Sequence, residues 1–227
     1  MVGTSRFQSI RTRVVKLAVA AVALIVLAVL SLAPSGQREQ AAVSASDLVS
    51  FRPDGTVLMA RPGVTAPVLE VYEDYQCPYC RDFERLNGGV AREWAVQGKV
   101  ALIIHPFTVF SENAGVTHDN SRRALTASLC VTDPRKWLAY HDELYAHQPE
   151  ETLEGGFPVE ELVRYAKGIG IAEAGFTACL NSRETSDRAD ALSRLALDRG
   201  VQGTPTIRLD GRDVDWSRPW ATPAQQV

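Results

Sequence analysis

Residues 68–80 read VLEVYEDYQCPYC, and this stretch decides the fold. Its opening, dominated by Val, Leu and Tyr, reads as a strand over residues 68–72. Pro78 then marks the first turn of a helix, where its missing N–H costs no hydrogen bond. Phe83, Leu86, Val90 and Trp94 recur at spacings of three and four and carry that helix to about Gln97. Cys77 and Cys80 therefore stand where a strand feeds a helix. At a helix N-terminus, unpaired amide N–H groups and the backbone dipole favour a thiolate over a thiol. Such a thiolate attacks at neutral pH and is also the better leaving group when a disulfide is attacked. Cys80, one turn further in, is expected to be the resolving thiol. Two other readings of the pair stay open. One is half of a zinc site, although no second CxxC or HxxxH supplies the missing ligands; the other is an inert local disulfide.

Working outward, residues 56–59 read as a further strand, set off by Pro62, Gly63 and Pro67, and residues 100–105 (VALIIH) as a buried central strand. A helical stretch is expected over 113–199. Within it Asp133 and Pro134 form an N-cap and first-turn pair. Residues 158–167 are closed by Gly168 and Gly170, 172–180 hold Cys179, and 186–199 end at Gly200. Runs at 206–209 and 212–214 flank Asp210-Gly211, a hairpin turn. No internal repeat interrupts this order.

The whole chain has 227 residues, 45% hydrophobic and 22% charged, which excludes a disordered polymer and fits one folded domain. Arg6, Arg11, Arg13 and Lys16 precede residue 34 with no acid among them, so the rest is more acidic than the formal charge of −3 implies. An acidic body argues against nucleic acid as a partner. The basic segment 1–16 is followed by LAVAAVALIVLAVLSLA at 17–33, which reads as a transmembrane anchor with residues 1–16 cytoplasmic and the remainder outside. A cleaved signal sequence is the alternative. Ser31 and Ala33 suit a cleavage site, but Pro34 would obstruct it, so the uncleaved anchor is favoured. Residues 34–50 are polar and small, and form a linker to a folded part at 51–227.

These features together, VLEVYEDYQCPYC followed by a helix, a strand, a long helical segment and GTPT at 203–206 before a hairpin, resemble the DsbA-like thioredoxin-fold oxidoreductases. The likeness is strongest to membrane-anchored extracytoplasmic members from actinobacteria. It implies an α/β thioredoxin fold with a helical insertion at 113–199, preceded by one transmembrane helix. It also implies a cis Pro205 facing the cysteines, so that Thr204 and Pro205 form a substrate-binding wall while Pro78 and Tyr79 form the active-site loop. Cysteine-containing exported proteins would be the substrates, a membrane thiol oxidase would regenerate the disulfide, and no cofactor is implied. The family often places a buried carboxylate before the motif as a proton relay. Glu70 is the candidate, one residue further from the cysteines than in the most studied members, and a surface Glu is the alternative. The final helix of the fold has no counterpart in the last twelve residues, so one sheet face is covered differently or by a partner.

Cys130 and Cys179, both in expected helices outside the membrane, are expected to pair as a structural disulfide, with two buried free thiols as the alternative. His105, His118, His141 and His147 show no metal spacing and read as scattered polar or core histidines. The sequence thus points to an extracytoplasmic thiol–disulfide oxidoreductase that introduces disulfides. Because Pro78-Tyr79 puts no cation between the cysteines, a reductase or isomerase on the same site stays open. A non-catalytic metal-binding or interaction protein is the reading from a different class.

Overall fold

The computed structural model describes residues 43–222. The anchor expected at 17–33 and the segment before it lie outside them; among the described residues no helix is long and apolar enough to cross a membrane.

Six strands form one sheet: β1 (Val49–Phe51), β2 (Val57–Met59), β3 (Val68–Glu73), β4 (Ala101–Pro106), β5 (Thr206–Leu209) and β6 (Arg212–Asp213), in the order β1-β2-β4-β3-β5-β6. β3 and β4 are parallel neighbours at the centre, and every other pairing is antiparallel. Strand alternation explains the main core. Met59, Leu102, Leu69 and Leu209 lie in one row across the sheet, Val57, Ile104, Val71 and Ile207 in the next, and all eight are buried on the same face. The opposite face carries Glu70, Tyr72 and His105 beneath the helix that precedes β5. Asp210 and Gly211 both have positive φ, 48° and 78°, the geometry of the expected Asp-Gly turn. β1 was not anticipated: three residues, two of them exposed, leave no periodic signal.

The helix after the cysteines departs from expectation. It is α1 (Pro78–Phe83), a π-helical turn at Glu84–Gly88, and α2 (Gly89–Val96), not one continuous α-helix over 78–97. The Gly88-Gly89 pair loosens the backbone there, and the wider turn slips the helix face by one residue. Leu86, expected in the apolar stripe, is 38% exposed, and Asn87 is buried in its place.

Between β4 and β5, after a 3-10 turn at Glu112–Ala114, lie five α-helices: α3 (Val116–Leu129), α4 (Pro134–Ala146), α5 (Val159–Gly168), α6 (Glu173–Leu180) and α7 (Arg183–Asp198). Asp133 caps α4 by accepting from the Arg135 N–H at 3.0 Å. Cys130, at the end of α3, and Cys179, on α6, form a disulfide with an S–S distance of 2.07 Å.

After β6 no helix follows among the described residues. Asn87 instead fastens the C-terminal segment as a strap. Its Nδ2 donates to the Trp216 and Arg218 carbonyls at 2.8 and 3.1 Å, and its Oδ1 accepts from the Trp220 N–H at 2.9 Å. Trp220 then stacks on Trp94 with centroids 5.3 Å apart, covering the face that a terminal helix would otherwise cover.

Candidate active site

β3 ends at Glu73, and the loop Asp74-Tyr75-Gln76 delivers Cys77 to the N-cap of α1, with Pro78 at its first position. Cys77 and Cys80 are both free thiols in this structure and both buried. Two amides clamp the loop. The Gln76 Nε2 donates to the Glu150 and Glu151 carbonyls at 3.1 and 2.9 Å, and the Gln148 Nε2 donates to those of Tyr75 and Cys77 at 2.8 and 2.9 Å. Position in the chain gave no hint of this reciprocal clamp, since more than seventy residues separate its halves.

The Thr204–Pro205 peptide is cis, and the Cys77 thiol lies 3.4 Å from the Thr204 carbonyl oxygen. The structure thus brings together Cys77, Cys80, Pro78, Thr204 and Pro205. Tyr79 projects from the site, 64% exposed, with its ring 6.5 Å from that of Trp216.

The two sulfurs are driven apart in acidity. A hydrogen bond from the Cys80 thiol is the largest influence on Cys77, aided by the Thr204 side chain and the backbone N–H groups of Cys80 and Tyr79; against the opposing effect of burial they lower its pKa to about 6. The buried Thr204 Oγ1 has no other partner, so its proton is free to turn toward the sulfur. Burial pushes the Cys80 thiol well above its ordinary value, and the proximity of Cys77 and Glu73 adds to this. Cys77 is thus poised as thiolate and Cys80 as thiol.

Glu70 is not brought to the cysteines, contrary to its expected relay role. Strand alternation turns it to the other face, where it accepts from the Tyr72 hydroxyl at 3.0 Å and lies 3.2 Å from His105 Nε2. The carboxylates beside the motif are Glu73 and Asp74, which the sequence reading passed over. Two adjacent acids at the end of an apolar strand, directly before a C-x-x-C, were the available signal.

The Asp74 Oδ1 accepts from the Gln76 N–H at 2.8 Å, and its Oδ2 accepts from the Val109 N–H at 2.8 Å and from the Ser121 hydroxyl at 2.7 Å. Burial outweighs these bonds and raises its pKa to about 7. The Asp74 N–H lies 3.4 Å from the Cys80 sulfur.

Glu73 is fully buried with its Oε1 2.7 Å from Nε2 of His141, itself fully buried on α4. Next to them Arg92 pairs with Glu84 at 2.6 Å and with Asp142 at 2.8 Å. Ligand atoms of Glu73, Glu84 and His141 lie within 4.8 Å of one another, but the Arg92 guanidinium already balances this acidic group as an ion network. Of the other histidines, His105 stacks on Tyr72 in the second core, and His118 and His147 lie beside the carboxylates of Asp119 and Glu143.

A thioredoxin family model matches residues 64–227. The chain belongs to the thioredoxin family. Among solved structures of this fold, the reduced DsbA of Mycobacterium tuberculosis is 25% identical, covering 78% of this chain and 87% of that one with a TM-score of 0.59. DsbG of the same organism, described as a disulfide bond oxidoreductase, is 26% identical over 80% of this chain and 88% of its own, at 0.59. MdbA of Corynebacterium diphtheriae, described as a thiol–disulfide oxidoreductase, shares the fold at 0.62 with 18% identity, covering 78% and 92%. A search of curated proteins by sequence found no match. The likeness to DsbA-like proteins read from the cysteine motif is borne out.

Proposed function

We propose that this thioredoxin-family chain is a thiol–disulfide oxidoreductase that introduces disulfides into cysteine-containing exported proteins. What carries the reading is the opposed acidity of two neighbouring sulfurs, Cys77 lowered to about 6 and Cys80 raised, beside the Thr204 carbonyl. In the oxidised enzyme a substrate thiolate attacks Cys77 Sγ, the bond to Cys80 breaks, and a mixed disulfide forms. A second substrate thiolate then attacks its partner sulfur, and Cys77 leaves as a thiolate that needs no proton at neutral pH. A stabilised thiolate stabilises the reduced enzyme, so the disulfide is oxidising and electrons flow from substrate to enzyme. Mycobacterial DsbA and DsbG as structural relatives support the same chemistry.

The order of a basic segment before the apolar run 17–33 supports a catalytic domain on the outer side of the membrane. The Cys130–Cys179 disulfide suits an oxidising compartment. A membrane thiol oxidase would return the enzyme to its disulfide form. The test is oxidative refolding of a reduced, denatured protein alongside insulin reduction. Acceleration of refolding, its loss in Cys77→Ser, and accumulation of a mixed disulfide at Cys77 in Cys80→Ser are expected. Faster insulin reduction with no effect on refolding would reverse the direction. The absence of a cation in Pro78-Tyr79 is the observation that favours this second reading.

A further inference from the structure

On the face of the sheet turned away from the main core, His105 is 3% exposed, and each of its ring nitrogens meets a charged partner from a different element. Nδ1 accepts from the Arg199 guanidinium, at the end of α7, at 3.0 Å, and Nε2 lies 3.2 Å from a Glu70 oxygen on β3. A guanidinium can only donate, so Nδ1 carries no proton; the ring is neutral, with its one proton on Nε2 toward the carboxylate. Tyr72 stacks on the ring with centroids 4.1 Å apart. Arg199 also lies 3.5 Å from Asp54 in the loop between β1 and β2, and its carbonyl accepts from Arg208 of β5 at 3.1 Å. One buried imidazole therefore ties the end of α7 to the centre of the sheet, and the exchange chemistry uses none of these groups.

Only residues 200–203 separate Arg199 from Thr204, whose carbonyl oxygen lies 3.4 Å from the Cys77 sulfur. The Gly200 N–H donates to the Leu197 carbonyl at 2.9 Å and the Val201 N–H to the Ala196 carbonyl at 3.2 Å, so the segment leaves α7 in a fixed direction. Val201 is buried with Tyr72 and Phe107 in the second core. At the other end the Thr206 hydroxyl donates to the Gly203 carbonyl at 2.7 Å. A segment this short, fastened at both ends, passes a displacement of Arg199 on to Thr204.

We propose that His105 is a positioning residue: its neutral ring holds Arg199 and, through residues 200–203, sets the Thr204–Pro205 wall beside Cys77 for an extended substrate, while a proton on Nδ1 releases that wall. This rests on the thiol–disulfide reading above. Protonation would put an N–H and a positive charge 3.0 Å from the guanidinium, where two donors cannot bond and like charges repel. Glu70 keeps the imidazolium in place, so Arg199 is the group that moves; its side chain is 33% exposed, with Asp54 at hand to receive it. The groups facing the ring are Glu70 and Tyr72 on β3, Arg199 on α7, Asp54 before β2, and Arg208 on β5 over the Tyr72 ring. Burial is the largest influence and holds the His105 pKa below its ordinary value, with Arg199 adding to it and Glu70 and Asp54 opposing. The clasp is therefore closed at neutral pH and opens in acid. Burial raises the Tyr72 phenol, which stays neutral throughout.

The test compares, from pH 4.5 to 8, how fast two thiols open the Cys77–Cys80 disulfide of the oxidised full-length chain. One is a short, uncharged, end-capped peptide with a single cysteine; the other is 2-mercaptoethanol, which is too small to need the wall. The ratio of the two rates, each corrected for its own thiolate fraction, cancels the acidity of the enzyme sulfurs, and NMR follows the His105 ring in the same samples. The ratio is expected to fall about tenfold in acid, in step with protonation of His105. His105→Gln, whose amide can accept from Arg199 and donate to Glu70 without titrating, is expected to keep the neutral-pH ratio throughout. Arg199→Leu is expected to show the low ratio at every pH. A ratio independent of pH in the unaltered protein, an equal fall in His105→Gln, or an undiminished ratio in folded Arg199→Leu would each overturn the positioning role while leaving the exchange chemistry standing. No opening by either thiol would overturn both.

Discussion

The Cys77 sulfur lies 3.4 Å from the Thr204 carbonyl oxygen across 127 residues of sequence, so the redox pair is closed on one side by backbone from the far end of the fold. Its acidity comes from the hydrogen bonds it receives, from Cys80 first and then from the Thr204 side chain and the Cys80 and Tyr79 N–H groups, against the burial that this enclosure imposes. With Cys77 lowered to about 6 and Cys80 raised, reduction takes up two protons below pH 6 and one above it. The potential is expected to fall by about 59 mV per pH unit below that point and by about 30 mV per unit above it. Equilibration against glutathione across pH 4–8 checks the break.

The same shift sets a stability difference between the redox forms. A thiol whose folded pKa falls below its unfolded value of 9.0 contributes stability that is complete above 9 and lost as pH drops through about 6. Reduced protein should gain on oxidised protein by up to about 1.4 kcal/mol per pH unit between those limits. Urea unfolding of both forms at pH 6, 7 and 8 measures it, and parallel curves would refute it.

Glu70→Gln should leave the Cys77 midpoint and the exchange rate unchanged, because Glu70 faces Tyr72 and His105 on the opposite side of the sheet. Gln can still accept from both, so the cost in stability should stay under about 1 kcal/mol. Thiolate titration of the variant is the measurement, and a midpoint moved by half a unit would return Glu70 to the site.

Replacing both Cys130 and Cys179 by Ala should destabilise the chain by about 4 kcal/mol, the loop-closure value for a separation of 49 residues. Exchange at Cys77 should survive under conditions where the variant is folded. Thermal unfolding with an activity assay on the same samples separates the two effects.

Asn87→Ala should release the C-terminal strap. Three hydrogen bonds go, and the carbonyls of Trp216 and Arg218 and the Trp220 N–H lose their partner, for about 2–4 kcal/mol together. Trp220 would then leave Trp94, and its tryptophan fluorescence should shift to the red before global unfolding.

Local chemistry made much of this legible in advance. Val68–Glu73, Asp133-Pro134, Asp210-Gly211 and the C-x-x-C itself act through neighbours in the chain, so their patterns survive in a linear reading. Glu73 with His141, and Gln76 with the 150–151 carbonyls, depend on segments about seventy residues apart, and no periodicity encodes such meetings. Glu70 misled because identity alone was read; strand parity would have turned it away from Cys80, and the same parity places Glu73 with Leu69 and Val71. The lost terminal helix was visible as an absence, but its substitute rested on Asn87, an amide in what reads as an apolar helical stripe.

The π-helical turn at Glu84–Gly88 houses one residue more than ordinary winding needs. Deleting that residue would restore an α-helix without turning α1 against α2, because five residues of the wider turn sweep about the same angle as four at about 100° each. Were Asn87 the residue removed, the cysteines would keep their place while the Trp220 N–H lost its anchor. Homologous chains lacking the extra residue should therefore fasten that segment by other means.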